Sequence, residues 1–148
     1  MTDGPFFAEL AKIASLKSQL TKCPAEVYQA RLLLAEALDR LRDAKEACAE
    51  YEAEQMALIR AERKETGTVL HGAPKEVLRY PNDAARAEAL THALATAPAY
   101  AVLKKTLRAT ESEKTAAEFG LKRFEDQMRA VQYVAELTCA EVRLLVAR

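Results

Sequence analysis

Tryptophan is absent from these 148 residues, and glycine and proline are held to four and five. So few turn-forming residues exclude a fold built from many short strands and tight hairpins. No uninterrupted apolar run approaches the roughly 20 residues needed to cross a bilayer, so no membrane partner is expected. The three cysteines, Cys23, Cys48 and Cys139, form no CxxC pair and cannot all be joined in disulfides. With no basic run followed by an apolar core at the N-terminus, a reduced, cytoplasmic protein is expected. Free cysteines at seam-like helical positions act as small buried hydrophobes.

Chemistry-bearing motifs are missing too. There is no glycine-rich phosphate loop, nucleophile elbow or HExxH. His71 and His92 stand without a cysteine or carboxylate at ligand spacing, so no metal or other cofactor is expected. Carboxylates such as Glu111 and Glu113 fall on exposed helix faces, and no convergent catalytic set can be assembled. A non-enzyme is expected.

What is present is helix. Ala, Leu, Glu, Lys and Arg dominate, which is the composition of long helices and coiled coils. From Pro98 to Val146 a heptad runs unbroken: Tyr100, Leu107, Lys114, Leu121, Met128, Ala135 and Val142 take one seam position. Leu103, Thr110, Ala117, Phe124, Val131, Thr138 and Leu145 take the other. All but Lys114, Thr110 and Thr138 are apolar, which is the signature of a coiled-coil helix over 98–146.

Ahead of it, Pro5 suits a first helical turn, and Phe6, Leu10, Ile13, Leu16 and Leu20 make an amphipathic helix over 6–20. Pro24 is read as ending that helix and starting the next, over 25–65. The seam of this second helix carries Val27, Leu34, Leu41, Cys48, Gln55 and Glu62, interleaved with Ala30, Ala37, Ala44, Tyr51 and Leu58. The alanines allow close approach of a partner helix. Thr66 and Gly67 are read as its stop.

A connector spans 66–97. Val69-Leu70 and Val77-Leu78 either pair as a small hairpin or leave room for a helical turn at Pro74. A short helix over 83–95 follows, capped by Asn82 or Asp83. The two long helices should fold back antiparallel. The fold class is therefore all-α, one domain over 1–148. It is a long antiparallel helical hairpin with an N-terminal helix packed on its base and a short helix plus connector at its tip. Such a hairpin buries less surface than a sphere, so a homo-oligomer, dimer or larger, is expected. Phe6, Phe7, Leu10, Val134, Leu137 and Leu144 are the candidate oligomer or partner interface.

Charge is balanced overall, with 22 basic and 22 acidic residues, yet from Arg60 to Arg108 nine cations face five carboxylates. Arg60, Arg63, Lys64, Lys75, Arg79, Arg86, Lys104, Lys105 and Arg108 should gather at the hairpin tip with Tyr80 and Tyr100. Cations that track phosphates, with rings on which bases stack, are what a single-stranded nucleic acid needs. The bland alternative is a solvated surface balancing acidic faces.

The segment Tyr80-Pro81-Asn82-Asp83-Ala84-Ala85-Arg86-Ala87-Glu88-Ala89-Leu90, followed by Ala97-Pro98-Ala99-Tyr100 and the heptad helix, carries a resemblance. It resembles small helical-hairpin proteins encoded in replication and recombination regions of bacteriophages and prophages. The resemblance implies an accessory role in phage DNA recombination or replication. Three functions follow as expectations: single-stranded DNA binding, or docking on a DNA-processing partner, through the tip; a protein-interaction module acting as adaptor or inhibitor of a host or phage complex; or a structural scaffold.

Overall fold

The computed structural model describes residues 4–66 and 75–146, with side chains described for 10–64 and 76–144. Two long helices pack antiparallel with a short helix between them in the chain. The molecule divides into two compact units, Met1–Leu38 with Glu113–Arg148, and Asp39–Ser112.

Helix α1 runs without interruption from Gly4 to Ala61, 58 residues with Pro24 inside it. The expected break at Pro24, and with it a separate helix over 6–20, is corrected. The reason lies in the phase of the apolar residues. Ile13, Leu16, Leu20, Cys23, Val27 and Ala30 follow one another at steps of three and four, so the seam passes Pro24 without losing register. An interior proline costs about 3 kcal/mol. Cys23 and Val27, only 3% and 5% exposed on either side of it, hold the helix to its partner. Burying one such apolar side chain is worth about 1.5–3 kcal/mol, so a break that misplaced both would cost more than the proline does. The residues expected to form a separate N-terminal helix are instead the first turns of α1.

In the first unit, Cys23, Val27, Ala30 and Ala37 of α1 are buried with Val131 of α3, which spans Pro98–Val146. Ile13, Leu16 and Leu20 line a groove with Ala135, Thr138 and Val142, so the pairing continues toward the helix ends. At the seam edge Arg31 Nη2 lies 3.1 Å from Glu125 Oε1. Lys114, which the heptad places in the seam, reaches out to Glu118 at 2.9 Å. Its charge is thereby kept at the surface.

In the second unit, Leu41, Ala44, Cys48 and Ile59 are buried with Tyr100 and Thr110. Past Cys48 the inward positions of α1 slip. Tyr51 and Glu52 are both half-buried, and Ile59 turns in at 7% exposure while Leu58, expected in the seam, is 64% exposed. One four-residue step has replaced a three-residue step, which locally unwinds a coil.

α1 stops at Ala61, short of the Glu65 expected from sequence. The next inward positions after Ile59, Glu62 and Thr66, are polar, so the next two turns of helix would bury little apolar surface. Instead β1 (Arg63–Thr66) pairs antiparallel with β2 (Lys75–Leu78), with Arg63 opposite Leu78 and Lys64 opposite Val77. A bond from Arg79 N to Glu62 O at 3.0 Å closes the base of this ribbon. Val77-Leu78 are thus in a hairpin, but against Arg63 and Lys64; Val69-Leu70, and the turn expected at Gly67, lie outside the described residues.

Helix α2 (Asp83–Thr96) is capped by Asn82, whose extended backbone and side-chain oxygen take the Ala85 N–H at 2.8 Å. Ala97 leaves the helical conformation, and Pro98 opens α3 where its missing N–H costs nothing. Among the described residues no helix is long and apolar enough to cross a membrane.

Candidate nucleic-acid interface and exposed helix faces

The candidate cations all belong to the second unit, and their neighbours sort them. Arg79 is tied to Glu62 by a short hydrogen bond and ion pair. Glu62 holds that guanidinium even more firmly protonated than usual, through the hydrogen bond first and its charge second. Arg79 also lies 5.5 Å from the centre of the Tyr80 ring. Arg86 is turned inward: its Nε donates to Tyr80 O at 3.1 Å and its Nη1 to Asp83 Oδ1 at 3.0 Å. It fastens the start of α2 to Tyr80, two residues past the end of β2. Tyr80 is half-buried and shares a depression with Ile59, Glu62, Ala89 and His92, where α2 lies along the last turns of α1.

Tyr100 was expected among the rings open to a nucleic-acid base, and the fold corrects this. It is 9% exposed. Its hydroxyl donates to Glu52 Oε1, and its ring stacks on Tyr51 at 5.7 Å and 22°. Lys104, one turn on, places Nζ 5.2 Å from the same ring centre. The Glu52 hydrogen bond, and after it partial burial, raise the Tyr100 phenol above its ordinary value; Lys104 pulls the other way. The position was visible from the start, since Tyr100 opens the heptad.

Arg60, Arg63, Lys64, Lys105 and Arg108 remain exposed, with no ion pair to another described residue. The side chain of Lys75, which begins β2, lies outside the described residues. Arg60, Arg63 and Lys64 lie at the end of α1 and the start of β1, but Arg108 does not join them. Tyr100 sits against Tyr51 and Glu52, which puts Arg108, two turns along α3, level with about residue 44 of α1. At 1.5 Å per residue Arg60 is then roughly 24 Å further along. Carboxylates Asp39, Asp43 and Glu46 lie at the Arg108 end, clustered about Arg42. Arg79 and Arg86 thus stay near the end of α1, beside Glu62 and Tyr80, while Arg108 lies away from that end.

Of the candidate partner-facing residues, Leu10, Val134, Leu137 and Leu144 are 45%, 46%, 48% and 69% exposed. The side chains of Phe6 and Phe7 lie outside the described residues. Sequence reading missed several more: Tyr28, Leu33 and Phe119 are 60%, 60% and 70% exposed. They sit off the seam, where a search for the strongest heptad does not look. Among the described residues no cluster of His, Cys, Asp and Glu could hold a metal ion.

Comparison with protein-family models, with curated proteins and with solved structures finds no match for this chain.

Proposed function

We propose that the chain is a non-enzymatic assembly protein whose helix faces bind protein. One observation carries this reading. Among the described residues no large side chain is under 2% exposed, while Tyr28, Leu33, Phe119, Tyr133 and Leu144 each show 60% or more of their surface. A helix apolar on more than one side is stable when covered on more than one side, and helix-in-groove contact is a common form of such recognition. The test is photocrosslinking in the producing cell from Tyr28 and Leu32, one turn apart on the outer face of α1. Covalent protein adducts at both positions are expected, and a chain that stays unlinked there overturns the reading.

A second reading is favoured by Arg60, Arg63, Lys64, Lys105 and Arg108, exposed and unpaired among the described residues. Contact with single-stranded nucleic acid through these five would suit an accessory of phage recombination or replication. Anisotropy of a labelled single strand should then fall steeply with salt. Binding unchanged after all five become Ala removes this reading.

A further inference from the structure

In the first unit α3 carries a second stripe at the same three-and-four spacing as its seam. Gly120, Arg123, Gln127, Ala130, Val134, Leu137, Glu141 and Leu144 follow one another in this way. All are exposed except Gly120, which is half-exposed. A methyl group built on Gly120 would meet nothing within 4 Å. Contacts within the described chain therefore give no reason for a glycine that costs a helix interior about 1 kcal/mol relative to alanine.

The stripe is complementary to itself when reversed. Set antiparallel against a copy, with the two-fold axis beside residue 132, Gly120 faces Leu144 and Arg123 faces Glu141. Gln127 then faces Leu137, and Ala130 faces Val134. The largest exposed apolar side chain of the stripe meets the gap left by the glycine. Its only two charges, of opposite sign, meet each other twice. Neither Arg123 nor Glu141 has an ion pair with another described residue. A helix of unrelated sequence would have no reason to match this order, and a two-fold contact requires it.

We infer that two copies of this chain associate antiparallel through this stripe of α3, with Leu144 of each seated over Gly120 of the other. The inference rests on the protein-binding reading and names the chain itself as one partner. Sedimentation equilibrium of the full chain at low salt tests it, with circular dichroism showing that each variant keeps its helix. A dimer is expected for the natural sequence. R123E alone and E141R alone should each weaken it at least tenfold, and the double variant R123E/E141R should restore it. Gly120→Met, which has room in the lone chain, should weaken the dimer without loss of helix. A monomer at every concentration, single variants that dimerise as tightly as the parent, or a double variant no better than the singles overturns the proposal. The crosslinks from α1 report separately on the broader reading, because Tyr28 and Leu32 lie outside this stripe.

Discussion

The hydroxyl of Tyr100 donates to the carboxylate of Glu52 across the seam of the second unit, and the Tyr100 ring lies on Tyr51. The slip in α1 past Cys48 makes this possible, because it brings two consecutive residues of that helix to the same inward place. A hydrogen bond to a charged acceptor contributes about 1.5–3 kcal/mol at most, less where water reaches it. Tyr100→Phe should therefore lower stability by about 1–2 kcal/mol, read from urea unfolding.

The same contact sets an alkaline dependence. The Tyr100 phenol is raised above its ordinary value by Glu52 and burial, so the folded state favours the protonated form. Its contribution is complete below the unfolded value, near 10 for a free tyrosine, and is lost as pH rises through the higher folded one. Ultraviolet titration should show a phenol that ionises late, and Tyr100→Phe should remove this late component.

Pro24 offers a test of the continuous α1. Replacing it with Ala restores one backbone hydrogen bond and relieves a clash worth about 3 kcal/mol. The greater freedom of the unfolded chain returns about 0.4–1 kcal/mol of that. Pro24→Ala should raise stability by about 2 kcal/mol, seen as a higher melting temperature.

The alanines of the seam should resist enlargement. Ala37 is 5% exposed where α1 and α3 approach closely. Ala37→Leu should cost about 1–3 kcal/mol through forced displacement, whereas Ala35→Leu, on the exposed side, should change stability by less than about 0.5 kcal/mol. Equal losses at both positions would contradict the seam.

At the start of α2, Asn82→Ala removes the acceptor for the Ala85 N–H. The loss should be about 1 kcal/mol, with faster hydrogen exchange confined to the first turn of α2.

The long helix α3 was legible because a seven-residue repeat sustained over its whole length has no other explanation, and its bounds, Pro98 to Val146, agree with the structure. The cap at Asn82 was legible from one side-chain type at one place. Proline was over-read. Its local cost is real, but the phase of Leu20, Cys23 and Val27 across Pro24 already contained the answer. The ends of α1 and the ribbon at Arg63 were harder, since strand pairing between 63–66 and 75–78 depends on contacts across a gap in sequence. Least legible was the basic middle: nothing in the order of residues says that Arg79 is taken by Glu62, Arg86 by Asp83, or that Lys104 sits beside Tyr100.

The exposed apolar side chains off the seam have a thermal consequence. Unfolding a chain whose apolar groups already touch water exposes little new apolar surface, so its heat-capacity change per residue should fall below the usual 12–15 cal/mol/K. Its stability curve would then be shallow, and cooling would neither strengthen nor weaken it much. Calorimetry on the association-defective R123E variant would show that flat response, and the paired form would show a steeper one.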